Sequence, residues 1–194
     1  MWASTWRGWW IGPGWRCVPA PRRDAPDATA PGSDLPPPPP RPPQALNQNV
    51  ARPIEHALKK EYRNNGGLFL ESDCDEQIIV SIPFNQVVKV THILFQGPAS
   101  AGPDRVKVYV NQPGGSLGFD EAEILASTQE FELSTAQLAS DTPLAVYPPK
   151  FQKVRSLTLY VPSNHGEEDV TKVSKIAVFG VPEHTTNMND LKSC

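Results

Sequence analysis

Leu68-Phe69-Leu70-Glu71-Ser72-Asp73-Cys74-Asp75-Glu76-Gln77 leads directly into Ile78-Ile79-Val80-Ser81-Ile82-Pro83-Phe84-Asn85. An acidic turn with one cysteine is therefore joined to an apolar segment whose β-branched residues predict a strand. Residues 71–76 offer four carboxylates and one thiol within six positions. This set suits a metal site, a redox site or a docking surface, and the rest of the chain must decide among them.

Short strands are predicted along most of the chain that follows this turn. Val106, Val108 and Val110 alternate with polar or aromatic residues, which is the period of an antiparallel strand with one buried face. Glycine- and proline-containing turns separate the apolar segments. The alternation recurs at residues 156–161, where Leu157, Leu159 and Val161 alternate with Ser156, Thr158 and Tyr160. The predicted strands are residues 77–82, 88–95, 105–110, 129–133, 156–161 and 175–179, with residues 83–86 predicted as a turn.

Helical patterns are sparse. Residues 53–62 predict one short helix with Pro53 in its first turn, and residues 134–139 predict a single turn capped by Ser134. No long amphipathic helix separates the strands, so a parallel sheet with crossover helices is not expected. Many short strands with Gly/Pro turns instead predict an all-β fold, an antiparallel β-sandwich or barrel.

The chain changes composition near residue 44. All five tryptophans lie in the first fifteen residues, and twelve of the 22 prolines precede Gln44. We therefore predict that residues 1–43 form a disordered Trp/Pro-rich extension and that residues 44–194 form one globular domain. The basic start of the extension only weakly resembles a targeting segment, because glycine and proline interrupt it.

Charge and cysteine usage limit the partners and the compartment. Residues 1–43 carry a net charge of +2 and the remainder −5, without a basic stripe, so nucleic acid is not an expected partner. No apolar run is long enough to cross a bilayer, which requires about 18 residues. The three cysteines, Cys17, Cys74 and Cys194, form no CxxC motif. This usage favours a reducing compartment, and we expect a cytoplasmic protein that also enters the nucleus.

Thiol catalysis at Cys74 is disfavoured by its neighbours. A reactive thiolate is stabilised by positive groups, whereas carboxylates flank this cysteine on both sides. A calcium loop is also disfavoured, because the EF-hand pattern requires a glycine at its sixth position and a glutamate at its twelfth. The sequence does not satisfy this pattern whether Glu71 or Asp73 is taken as the first position. The histidines show no metal-ligand spacing, so no cofactor or metal is expected.

Several ordered blocks of the domain resemble the PITH (proteasome-interacting thioredoxin) domain family. The first blocks are residues 70–77, Ile82-Pro83-Phe84-Asn85-Gln86 and Phe95-Gln96-Gly97-Pro98. The later blocks are Phe119-Asp120-Glu121-Ala122-Glu123, Lys150-Phe151-Gln152-Lys153-Val154, Ser156-Leu157-Thr158-Leu159-Tyr160-Val161, Ser163-Asn164-His165-Gly166-Glu167-Glu168 and Thr186-Asn187-Met188-Asn189-Asp190.

The resemblance implies a galactose-binding-like β-sandwich of the jelly-roll type and a module that associates with the proteasome regulatory particle. Because the sequence also shows no catalytic constellation, we expect a non-enzymatic module, and we expect it to be a monomer. Polar loops would form the docking surface. The candidate partner-binding residues are Glu71, Asp73, Asp75, Glu76, Asn164, His165, Glu167, Glu168, Met188 and Asp190.

Two other functions remain open. The domain could be part of a thioredoxin-like redox protein whose catalytic half is missing from this sequence. It could also bind a small ligand or sugar, as other jelly-roll modules do, with Phe119, Tyr147 and Tyr160 as stacking candidates.

Overall fold

In a computed structural model of the protein, residues 41–61, 67–112 and 117–183 are described, and all belong to one compact unit that begins at Pro39. The strands of these residues are β1 (Gln44–Leu46), β2 (Leu70–Glu71), β3 (Ile78–Gln96), β4 (Arg105–Val110), β5 (Gln129–Glu132), β6 (Leu144–Ala145), β7 (Val154–Val161), β8 (Lys172–Val173) and β9 (Lys175–Pro182). The helices are α1 (Glu55–Leu58), α2 (Phe119–Ile124), α3 (Thr135–Ala139) and a 3-10 helix (Pro148–Phe151).

β3 organises the molecule because its two halves pair with different strands. Its first half lies between β1 and β7, in a layer with the order β1-β3-β7-β4-β5. Its second half lies between β9 and β6. All of these pairings are antiparallel. A single bent strand thus contributes to both layers of a β-sandwich.

The turn predicted at residues 83–86 is wrong, because the chain bends there without ending the strand. Pro83 pairs with Ser156 and Val88 pairs with Val154, so four residues of β3 lie opposite Arg155 alone. An interruption of this kind is a β-bulge, which bends a strand and increases its twist. Proline and asparagine in this stretch suggested a turn, but apolar residues on both sides continue into the two layers.

The main core lies between the two layers. Val80 and Ile82 from the first half of β3 and Ile93 and Phe95 from the second half belong to the same buried cluster. Val106, Val108, Leu157 and Leu159, which the alternation placed on the inner face, are 0–1% exposed. The predicted antiparallel β-sandwich is confirmed.

A second, smaller core covers the outer face of the β7–β4 pair. Tyr109 and Tyr160 were expected to face outward from half-buried strands, yet both are completely buried. The short helix α2 lies over them through Ala122, whose carbonyl oxygen accepts a 2.6 Å hydrogen bond from the Tyr109 hydroxyl. The predicted alternation is therefore correct, but the prediction that these strands are buried on one face only is wrong.

The helices differ from their predicted lengths more than the strands differ from their predicted positions. The helix predicted over 53–62 is only Glu55–Leu58, whereas α3 is capped by Ser134 as expected, with Gln137 N–H donating to the Ser134 side chain. β9 continues through Gly180 to Pro182 instead of ending at Phe179. In the described ranges, every helix is too short or too polar to span a membrane. Apart from residues 41–43, the predicted extension lies outside the described residues.

Candidate functional site

Two acidic loops meet at one end of the first layer. The loop at residues 72–77 leads into β3, and the loop at residues 162–171 leaves β7. Because β3 and β7 are antiparallel neighbours with Ile78 opposite Val161, both loops lie at the same end of this strand pair. The sequence predicts candidate docking residues in each loop separately, and the pairing of β3 with β7 brings the two loops together.

Thr171 joins the two loops inside the protein. Its backbone N–H donates a 2.9 Å hydrogen bond to Ser72 Oγ, and the Ser72 N–H donates to the Thr171 carbonyl oxygen at 3.0 Å. The Thr171 hydroxyl donates a 2.6 Å hydrogen bond to the carbonyl oxygen of Glu76. Ser72 and Thr171 are both completely buried. These buried bonds fix the acidic turn against the second loop.

Asn164 shapes the second loop from within. Its side-chain amide donates to the Glu168 carbonyl oxygen at 2.8 Å and to Thr171 Oγ1 at 3.3 Å, and its Oδ1 accepts from the Glu168 N–H at 3.0 Å. The residue is only 6% exposed. Its side chain, which was predicted to contact a partner, is therefore occupied in holding the loop.

Asn47 supports the acidic turn from the opposite side. Its backbone is left-handed, with φ of 59°, a region that asparagine tolerates better than most residues. Its Oδ1 accepts from the Cys74 N–H at 3.1 Å, while its Nδ2 donates to the Gln77 carbonyl oxygen at 2.7 Å and to Asp75 Oδ1. The roles of Asn47, Ser72 and Thr171 could not be predicted from the sequence, because nothing local to these residues indicates contacts with segments so distant in the chain.

The two loops line an open cavity of about 190 Å³. Its lining comprises Glu76, Ser163, Asn164, Glu167, Glu168 and Asp169. The last three of these are exposed and Glu76 is half-buried. We call these four acidic residues, Glu76, Glu167, Glu168 and Asp169, the acidic surface.

Backbone geometry fixes how the acidic surface is presented. Glu167 has φ of 51°, in the left-handed region. At the preceding position, a Cβ on Gly166 would collide with the carbonyl oxygen of Ser100. The loop therefore requires glycine at 166 to lie against the Ser100 segment.

The other predicted docking residues divide into several environments. Glu71 lies opposite Lys172 in the β2–β8 pair, and their side chains form an ion pair at 3.6 Å. Asp73 and Asp75 are exposed on the acidic turn but do not line the cavity. His165 is half-buried, and its Nε2 has no hydrogen-bond partner among the described residues. Met188 and Asp190 lie outside the described residues.

Cys74 is exposed but electrostatically unsuited to act as a thiolate. Asp73 raises the pKa of the thiol, both through its negative charge and through a hydrogen bond from Sγ to its Oδ2 at 3.7 Å. Asp75 adds a smaller effect of the same sign. Within residues 41–61, 67–112 and 117–183, no three His, Cys, Asp or Glu side chains are arranged to hold a metal ion.

The aromatic residues considered as a sugar platform are dispersed. Phe119 packs edge-on against the buried Tyr160, with ring centroids 6.3 Å apart and an interplanar angle of 67°. Tyr147 is 58% exposed and does not belong to either core cluster. The first two rings stabilise the outer core and do not form an open stacking surface.

The protein is an antiparallel β-sandwich of the jelly-roll type. A fucolectin from striped bass (Morone saxatilis) serum shares this fold, with a TM-score of 0.50 at 10% identity, over 72% of this chain and 46% of that chain. The chain belongs to the PITH domain family, whose sequence model matches residues 43–194. The resemblance seen in the sequence blocks is confirmed.

Two relatives illustrate the range of the family. Thioredoxin-like protein 1 of Schizosaccharomyces pombe is 41% identical over 143 residues, which are 72% of this chain and 48% of the relative. PITH domain-containing protein 1 of Dictyostelium discoideum is 33% identical over 138 residues, which are 70% of this chain and 66% of the relative. This chain thus spans about half to two thirds of the length of these relatives.

Proposed function

We propose that this PITH domain is a non-catalytic docking module that binds the proteasome regulatory particle through its acidic surface. The observation that carries the proposal is that four acidic residues from two distant loops line one cavity. The name of the family, proteasome-interacting thioredoxin, supports the choice of partner. A basic patch on the regulatory particle is the complementary surface.

Rigid presentation of the charges supports a role in recognition. The hydrogen bonds of Thr171 and Asn164 fix the loop backbones before any partner arrives, so little conformational entropy is lost on binding. The carboxylates of Glu167, Glu168 and Asp169 are exposed. Such charges mainly accelerate and orient association, and their effect weakens as salt is added.

A redox function is the second candidate, because one relative is a thioredoxin-like protein. The raised pKa of Cys74 and the absence of a CxxC motif from the sequence speak against thiol–disulfide exchange by these residues. An insulin-reduction assay on the purified chain tests this point directly. We expect no turnover, and clear turnover that is lost in Cys74→Ser would overturn the non-catalytic proposal.

A co-precipitation experiment tests the docking function. The full chain, immobilised through an N-terminal tag, is incubated with purified regulatory particle at low and at high salt. We expect recovery at low salt that decreases as salt increases. Failure to recover the particle at low salt would contradict the proposal. We further propose that the module acts as a monomer in the cytoplasm and nucleus, which sedimentation analysis and cell fractionation test.

A further inference from the structure

A second cavity lies at the other end of the β3–β7 pair. It has a volume of about 280 Å³, and its lining residues are Phe84, Asn85, Gln86, Val87 and Arg155. The paired segment from Ile78 to Pro83 separates it from the acidic surface by about 17 Å along the strand. The two cavities are therefore distinct.

The β-bulge in β3 creates this cavity. Four residues of β3, 84–87, lie opposite the single residue Arg155 of β7, so the two strands separate between Pro83–Ser156 and Val88–Val154. Bulges frequently occur where a strand must redirect side chains toward a binding site. Here the bulge brings Asn85 and Gln86, which carry side-chain amides, into the lining of the same cavity as Arg155.

The backbone of Arg155 is held in place by Asn111. Asn111 is left-handed, with φ of 54°, and its Oδ1 accepts hydrogen bonds from the N–H groups of Arg155 at 2.7 Å and Ser156 at 3.3 Å. Its Nδ2 donates to the Lys153 carbonyl oxygen at 2.7 Å. The strand segment that carries the guanidinium is therefore rigid, while the side chain of Arg155 is exposed.

The chemistry of the cavity is cationic, in contrast to the acidic domain around it. The Arg155 guanidinium forms no hydrogen bond or ion pair with any residue that the structure describes, and none of the five described lining residues carries a carboxylate. Asn85 and Gln86 add amide donors, and the half-buried Phe84 adds an apolar wall.

We propose that this cavity binds a single carboxylate on a short apolar stem, such as the side chain of a glutamate or the C-terminal residue of a peptide. The planar guanidinium matches a carboxylate with two parallel hydrogen bonds. One monovalent cation balances one carboxylate, whereas a phosphate dianion would remain half-neutralised. The volume lies just below the range of roughly 300–1,000 Å³ for small-molecule pockets, so the bound group is small.

The test uses hexanoate as the carboxylate probe and hexanamide as its neutral counterpart. Each is titrated into the isotope-labelled full chain, and backbone amide shifts are followed by NMR. We expect hexanoate to produce saturable shifts at residues 84–87 and at Arg155. Hexanamide should bind at least about tenfold more weakly, because it lacks the charge-assisted hydrogen bonds. Absence of saturable shifts, or equal affinity for both probes, would overturn the proposal.

Arg155→Gln should weaken hexanoate binding by about tenfold or more without altering the thermal midpoint, because the guanidinium has no structural partner among the described residues. The matched control is Arg105→Gln, since Arg105 pairs with Glu130 at 3.4 Å outside this cavity and should not affect the probe. Unchanged binding in Arg155→Gln would refute the site. Inorganic phosphate that competed as well as hexanoate would refute its preference for carboxylates.

Discussion

The hydroxyl of Thr171 donates a 2.6 Å hydrogen bond to the carbonyl oxygen of Glu76, a residue 95 positions earlier in the chain. This bond connects the loop that precedes β3 with the loop that follows β7. It also holds Glu76 at the cavity that Glu167 and Glu168 line from the second loop. The acidic surface depends on this link, because neither loop contains all of its charges.

Replacing Thr171 by valine removes the hydroxyl while retaining the shape of the side chain. The Glu76 carbonyl oxygen and the Asn164 amide each lose a partner in a buried setting, so we expect a loss of about 1–3 kcal/mol in the free energy of unfolding. Urea denaturation measures this loss. The exposed Thr142 provides a matched control, and Thr142→Val should change stability by less than about 0.5 kcal/mol. Equal effects of the two substitutions would contradict the proposed role of Thr171.

Gly166→Ala should disturb the acidic surface through sterics alone. The added Cβ meets the Ser100 carbonyl oxygen, which belongs to the backbone and cannot move easily. We expect destabilisation of about 1–3 kcal/mol and weaker recovery of the regulatory particle in the co-precipitation assay. Gly67→Ala is the control, because a Cβ at Gly67 has nothing within 4 Å. If Gly166→Ala had normal stability and normal binding, the loop would tolerate displacement, and the requirement for glycine at this position would be contradicted.

The reactivity of Cys74 should depend on Asp73. Asp73 favours the neutral thiol and thereby raises the pKa of Cys74, so the reactive thiolate is scarce at neutral pH. Asp73→Asn should lower that pKa and increase the rate of alkylation by iodoacetamide severalfold, as followed by peptide mapping. Glu168→Gln is the control, because Glu168 is not among the groups that shift this thiol. An unchanged rate in Asp73→Asn would refute the electrostatic explanation.

Tyr109 should make the protein sensitive to alkaline pH. Burial, and secondarily Glu130, raises the pKa of Tyr109 above its ordinary value of about 10. Above that pH the unfolded state binds fewer protons than the folded state, so the free energy of unfolding decreases as pH rises. Tyr109→Phe should reduce this slope and cost about 1 kcal/mol at neutral pH, because the bond to Ala122 is lost. Denaturation across alkaline pH measures both effects, and Tyr147→Phe, an exposed substitution, should leave the slope unchanged.

The strands could largely be predicted from the sequence, because alternation is a local signal. Residues 105–110 form the predicted strand, and Val106 and Val108 face the core as expected. The continuity of β3 through residues 83–87 could not be predicted in this way, because turns and β-bulges contain similar residue types. Burial of Tyr109 on the outer face depends on α2, which is brought over it only by the tertiary fold.

The candidate site could be predicted only in part. The acidic character of both loops is visible in the sequence, and Glu76, Glu167 and Glu168 do line one cavity. Their meeting depends on the register between β3 and β7, which composition does not reveal. The involvement of Glu71 with Lys172 is likewise a consequence of strand pairing, since the two residues lie far apart in the chain.

Neutralising the acidic surface tests the central claim most directly, with affinity for the purified regulatory particle measured by biolayer interferometry. One variant of the full chain removes three exposed charges at the cavity: Glu167→Gln, Glu168→Gln and Asp169→Asn. A matched control removes three exposed charges of the same types from residues that do not line the cavity: Asp120→Asn, Glu123→Gln and Glu183→Gln.

The two variants change the net charge equally, so only the position of the charges differs. If the acidic surface docks the particle, the cavity variant should bind at least about tenfold more weakly than the wild type, which corresponds to about 1.4 kcal/mol. The control should retain affinity close to that of the wild type. Equal affinities for the cavity variant and the control would contradict the assignment of docking to the acidic surface.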